Sequence, residues 1–145
     1  MEKMIWSPTL HLFALCAAIL VMKMLMTGYA TSVLRNVRRV YLSPEDYAFW
    51  GREPGPPDPQ IERIRRAHQN DLEAVLPFLV IGFLAASSGT VSYEVAWWLF
   101  VPFTVARILH TIAYAFRLQP WRSVLFGIAD VALLATTTLL LIALV

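Results

Sequence analysis

The 145-residue sequence holds a single cysteine, and only 15% of its residues are charged. One cysteine excludes an intrachain disulfide. Cys16 has apolar neighbours, whereas a catalytic thiol needs an electropositive, partly exposed setting, so it reads as helix packing. The scarcity of charge, set against 58% apolar residues, excludes an ordinary soluble domain, where about a quarter of residues are charged. No cluster of His, Cys and Asp has metal-ligand spacing, so no metal is expected. No Gly-rich loop suits a phosphate, and no nucleophile stands beside a base in sequence. A net charge of +2 is too small to point to nucleic acid. Strand-like alternation, internal repeats and low-complexity tracts are missing as well, so one domain suffices.

What the sequence does contain is long apolar blocks: Pro8–Leu34, Leu72–Ala86, Val95–Phe116 and Val124–Val145. A helix rising about 1.5 Å per residue crosses a hydrocarbon core of about 30 Å with roughly 20 apolar residues. The fold class expected is therefore all-α: an integral membrane four-helix bundle with helices near 8–38, 59–88, 94–116 and 120–145, and a loop at 39–58. The block after Leu72 is short, but helical pattern extends back to Asp58-Pro59, a cap followed by a first-turn proline. Such a helix would run roughly 45 Å at about 1.5 Å per residue and project from the bilayer, ending at Gly89. Ser7-Pro8 and Ser43-Pro44-Glu45-Asp46 carry the same start signal, the latter opening a short helical turn. The first apolar run passes Lys23 without a clear cleavage site, which favours a retained helix over a signal peptide. Lys23 would either snorkel or face the bundle interior.

Basic residues are unevenly placed. Arg35, Arg38, Arg39, Arg52, Arg63, Arg65, Arg66, Arg117 and Arg122 fall on the side of the first and third connections, and Lys3 alone marks the side of the termini. Because basic residues stay in the cytosol during insertion, those two connections are expected to be cytosolic and both termini lumenal or periplasmic. Tyr93, Trp97 and Trp98 would form one interfacial belt, with Trp121 and Tyr114 in the other.

Several polar residues exceed what anchoring needs. Arg66, Asn70 and Glu73 share one helix face, as do Arg107, His110, Thr111 and Tyr114 on the next. Arg35 closes the first helix and Arg122-Ser123 open the last, at the same depth. A snorkelling anchor explains Arg35 or Arg117 taken alone, and a structural Glu73–Arg107 ion pair is the simplest bland account of two charges set in apolar sequence. Pro77 removes the hydrogen bond to the Glu73 carbonyl, where the second spanning helix would bend. Several cations, one carboxylate, an amide and hydroxyls suit a small zwitterionic anion. Glutathione is one molecule with matching groups, although these residues alone do not single it out; its thiol needs a nearby cation to ionise at neutral pH.

The run Glu62-Arg-Ile-Arg-Arg-Ala-His-Gln-Asn-Asp-Leu-Glu73, with Pro77-Phe78, Ser43-Pro44-Glu45-Asp46 and Arg107-Ile-Leu-His110-Thr-Ile-Ala-Tyr114, resembles the signature of the membrane-associated proteins in eicosanoid and glutathione metabolism. It is most similar to the branch of microsomal glutathione transferases and prostaglandin E synthases. The resemblance implies a homotrimer holding glutathione between subunits near the cytosolic face. It also implies that Arg35, Arg66, Asn70, Glu73, His110, Tyr114, Arg122 and Ser123 contact glutathione. Glu73 would receive the ammonium, the arginines the carboxylates, and Arg122 with Ser123 the thiolate, while Asp46 matches an acid implicated in the synthase's chemistry. Gln69 and Phe126 stand where the synthase has an arginine and a tyrosine, which favours a broader transferase or peroxidase acting on lipophilic electrophiles or hydroperoxides. The rivals are a prostaglandin-type isomerase and a non-catalytic lipid-presenting protein. A small multidrug transporter would need an acid in the first span, and Pro8–Leu34 has none. The membrane would be the endoplasmic reticulum in a eukaryote and the inner membrane in a bacterium.

Overall fold

A computed structural model describes residues 6–145; Lys3, which the charge argument used, lies outside them. The chain folds as four long helices, α1 (Pro8–Arg38), α3 (Pro59–Ser87), α4 (Tyr93–Ala115) and α5 (Trp121–Leu144), with a short α2 (Pro44–Phe49) between the first two. All four long helices are long and apolar enough to cross a membrane.

Local chemistry sets the ends. Ser7 Oγ accepts the Leu10 N–H at 3.2 Å, and Asp58 Oδ1 accepts the N–H groups of Gln60 and Ile61 at 2.8 and 3.1 Å. Each satisfies donors that a helix start leaves open. Ser43 caps α2 in the same way, through Asp46 N–H at 3.4 Å. α3 stops at Ser88, and Gly89 follows with φ +72°, a left-handed turn that glycine adopts without steric cost. α3 stays continuous through Pro77, and α4 through Pro102.

α3 and α4 form the centre of the bundle. α1 packs on both, α5 packs on both, and among the described residues α1 and α5 do not meet. The aromatic heart is Phe78 stacked on Phe103 at 4.2 Å, with Phe13 and Phe100 approaching Phe78 at 5.8 and 5.5 Å. Such pairs contribute about 0.5–1.5 kcal/mol each beyond burial. Lipid tails are as apolar as these side chains, so close packing holds membrane helices together more than exclusion from water does. Gly82 serves that packing: a Cβ there would sit 2.9 Å from the Phe13 ring, so α3 approaches α1 only because the side chain is missing. Large apolar residues such as Leu25, Met26, Leu134 and Leu141 face outward from α1 and α5, where a soluble protein would carry polar groups.

Candidate functional site

Two polar clusters lie in the half of the bundle that holds the C-terminal ends of α1 and α4 and the start of α5. The deeper one is closed. Lys23 Nζ pairs with Asp71 Oδ1 at 2.7 Å and donates to Thr111 Oγ1 at 2.8 Å and the Arg107 carbonyl at 3.0 Å. Arg107 Nη2 donates to the same Asp71 oxygen at 2.6 Å, and Thr111 donates to Asp71 Oδ2 at 3.2 Å. Asp71 and Arg107 are fully buried. Lys23 therefore faces the bundle interior and does not snorkel. The bland alternative, a Glu73–Arg107 pair, does not form, because Arg107 belongs to Asp71, two residues earlier on α3. Asp71 points inward with Ala67, Ala74, Val75 and Phe78, whereas Glu73 points out with Gln69.

The outer cluster is open. A cavity of about 580 Å³ is lined by Glu62, Arg63, Arg66, Tyr114, Gln119 and Arg122 among others. A second, of about 290 Å³, is lined by Arg65, Arg66, Gln69, Asn70, Glu73 and Tyr114. Arg66 and Tyr114 border both, so the two are lobes around one tyrosine. Together they fall within the roughly 300–1,000 Å³ that small-ligand sites occupy. The Arg122 guanidinium lies over the Tyr114 ring, 4.8 Å from its centroid, in a cation–π contact. Tyr114 is half-buried there. Behind it, His110 is buried, with its ring 5.7 Å from Tyr114 and 6.2 Å from Phe126.

Among the described residues, neither Arg66 nor Arg122 is in an ion pair, and the Glu73 carboxylate has only the Gln69 amide, at 3.2 Å. Cations and a carboxylate left open beside a cavity fit a zwitterionic anion. Five of the expected contacts, Arg66, Asn70, Glu73, Tyr114 and Arg122, come together in this way within one chain. His110 backs them, and Ser123 lies at the edge, its Oγ 3.3 Å from the Gln119 carboxamide. Arg35 and Asp46 line neither lobe. Sequence inspection passed over Gln119. With its oxygen toward Arg122, its carboxamide accepts from Nη2 at 2.7 Å and from Nε at 3.1 Å, which fixes that guanidinium. Its place in the α4–α5 connection, three residues before Arg122, was the available signal. Among the described residues no group of His, Cys, Asp and Glu could hold a metal ion.

At the ends of the spanning helices, Arg38 ties α1 to the start of α3, through Asp58 Oδ2 at 2.6 Å and through Gln60. That guanidinium, with the N–H groups of Ile61 and Gln60, holds the Asp58 carboxyl below the usual carboxylate range.

The MAPEG family profile matches residues 13–144. The chain belongs to the MAPEG family. This MAPEG chain is 40% identical to human prostaglandin E synthase over 129 residues, covering 86% of the chain and 82% of that protein. It is 42% identical to human microsomal glutathione S-transferase 1 over 120 residues, covering 79% and 77%. Bovine (Bos taurus) prostaglandin E synthase is 37% identical, over 81% and 78%. Membership of this membrane family, with four spanning-length helices, makes the protein an integral membrane protein.

Proposed function

We propose that this protein is a glutathione-dependent membrane transferase or peroxidase, which ionises the glutathione thiol and directs it at a lipophilic electrophile or hydroperoxide. The observation that carries the proposal is the open cluster around Tyr114: Arg66 and Arg122 without carboxylate partners, and Glu73 without a cation. Glu73 takes the glutathione ammonium, Arg66 takes a carboxylate, and Asn70, His110 and Tyr114 supply polar and ring contacts. Arg122, with Ser123 beside it, stands by the sulfur. A free thiol near pKa ~8.5 must fall by about two units to be mostly thiolate at neutral pH, worth about 2.7 kcal/mol. One charge-assisted hydrogen bond from a guanidinium to the sulfur is of that order.

The thiolate then attacks. With a chloronitrobenzene, a C–S bond forms as chloride leaves with the C–Cl electrons. With a hydroperoxide, an S–O bond forms as the O–O bond breaks, and the alcohol leaves after taking a proton. A second glutathione reduces the resulting sulfenic acid to the disulfide and water. Apolar substrate partitions into the bilayer and reaches the site from there.

The active form is a homotrimer whose site lies between subunits at the cytosolic face, with lumenal or periplasmic termini. Arg35 and Asp46 line neither lobe of their own chain, and in a trimer they would complete a neighbour's site. Asp46 would act there on substrate.

The similarity to prostaglandin E synthases favours a second reading, an endoperoxide isomerase using the same thiolate. Phe126 near His110 offers no hydroxyl, and Gln69 is engaged with Glu73, so a dedicated synthase is second choice. The test is ultraviolet thiolate absorbance of the detergent-purified protein on adding glutathione, followed by turnover of a chloronitrobenzene and of an endoperoxide. Thiolate formation with chloronitrobenzene turnover supports the transferase. Turnover of the endoperoxide alone favours the isomerase. No binding by folded protein would leave the open cluster structural and move the lipid-presenting role to first place.

A further inference from the structure

We propose that Lys23 is a positioning residue for the glutathione cavity, acting through Asp71 and Arg107 to hold Asn70 as a hydrogen-bond donor toward the ligand. The proposal rests on the glutathione reading above and adds a route by which the closed cluster serves the open one.

The route is a chain of contacts. The Lys23 ammonium has three hydrogens, and its three acceptors are Asp71 Oδ1 at 2.7 Å, Thr111 Oγ1 at 2.8 Å and the Arg107 carbonyl at 3.0 Å. It is saturated and has no reach to spare for a ligand. Its effect passes through Asp71 Oδ1, the oxygen that also takes Arg107 Nη2 at 2.6 Å. That same Nη2 reaches the Asn70 backbone oxygen at 3.0 Å and the Asn70 side-chain Oδ1 at 2.9 Å. A guanidinium only donates, so the carboxamide must turn its oxygen to Arg107 and its NH₂ away. Asn70 lines the smaller lobe with Arg66, Glu73 and Tyr114. Its Nδ2 therefore offers hydrogens to an acceptor there, a carboxylate or peptide carbonyl of the ligand. Without Lys23, Asp71 would face Arg107 alone, and the guanidinium could rotate toward a two-pronged pairing with that carboxylate, releasing Asn70. The amide could then flip and present its oxygen to an anionic ligand, which repels it.

The experiment is a double-mutant cycle on glutathione Kd in the full-length, detergent-purified protein, using Lys23→Met, Asn70→Ala and the pair. Met keeps the unbranched length of lysine, and thermal unfolding checks the fold of each variant. Each single change is expected to weaken glutathione about tenfold, the loss of one charged-ligand hydrogen bond, and the pair no more than about twofold beyond the weaker single. In Lys23→Met the KM for chloronitrobenzene should stay unchanged while that for glutathione rises. A merely structural lysine would move both. Effects that multiply in the pair, or a Lys23→Met protein with unchanged Kd, overturn the proposal. If Lys23→Met does not fold, Thr111→Val replaces it in the cycle, since it removes one Lys23 acceptor and one Asp71 donor with little change in shape. Wild-type protein that fails to bind glutathione overturns the functional reading and this inference together. Wild-type binding with multiplying effects overturns this inference alone.

Discussion

Asp71 and Glu73 stand two residues apart on α3, yet one is sealed between two cations and the other opens onto a cavity with an amide as its partner. The difference follows from helical geometry. A shift of two positions turns a side chain by about 200° around the helix, from the bundle interior to its margin. Burial then dictates chemistry. Inside, a carboxylate persists only when cations and donors satisfy it, and Lys23, Arg107 and Thr111 do so completely. At the margin Glu73 has only the Gln69 amide as a partner, which leaves it open to a cation of a ligand. A closed cluster should therefore govern stability, reaching the ligand only through Asn70, and an open one should meet the ligand directly.

The sharpest way to break this contrast is Asp71→Asn. Removing one partner of a buried ionic cluster leaves two cations uncompensated, at a cost of about 3–5 kcal/mol. Thermal unfolding in detergent should show a large fall in Tm, larger than for any change at the open cluster. An unchanged Tm would mean that the buried cations find another counter-charge, and the division between the clusters would be lost.

Arg122→Ala attacks the other side. Arg122 touches Tyr114 and Gln119 at the surface of the bundle, so stability should move by no more than about 0.5 kcal/mol. The thiol of bound glutathione should instead return toward its free pKa, a rise of about two units, seen as lost thiolate absorbance at pH 7. Normal thiolate absorbance in this variant would remove Arg122 from the role.

Gly82→Ala serves as a control outside both clusters. The added methyl meets the Phe13 ring at 2.9 Å, so α1 and α3 must separate or the ring must turn, an overpacking cost of about 1–3 kcal/mol. Tm should fall while glutathione Kd stays within about twofold, because independent sites add. A parallel loss of binding would show that site and core are not separable.

The four long helices were legible from apolar length, and the starts of α1, α2 and α3 from serine and aspartate caps with first-turn prolines, because these signals act locally. Membership of the closed cluster was harder to see. Lys23, Asp71 and Arg107 come from three helices, and no spacing within one helix reports which charges meet across a bundle. One signal did exist. Ala67, Asp71, Ala74, Val75 and Phe78 recur at helical spacing along the buried stripe of α3, which places the acid inside and Glu73 outside. A polar residue on an apolar stripe is a demand for a partner, and Lys23 in the apolar run of α1 is the matching demand. Arg66, Asn70, Glu73, Tyr114 and Arg122 were legible as a belt from depth and face alone. The orienting roles of Gln119 and Arg107 were not, because they depend on side-chain geometry between elements.

The mildest test lies at the tie between α1 and α3, where charge and capping coincide in one half-buried carboxylate. Asp58→Asn keeps an oxygen for the Ile61 and Gln60 N–H groups but loses the ion pair with Arg38. Arg38 holds the Asp58 carboxyl below its ordinary value, so this stabilisation is fully present above the unfolded pKa near ~4 and is lost as pH falls through the lowered folded value. Wild type should therefore exceed Asp58→Asn in Tm by a small, constant margin from roughly pH 5 upward, and the margin should close on further acidification. Glutathione binding should be unchanged in the variant, since Asp58 lines neither lobe. A margin that survives strong acid would mean that capping geometry, and not the Arg38 charge, distinguishes the two side chains.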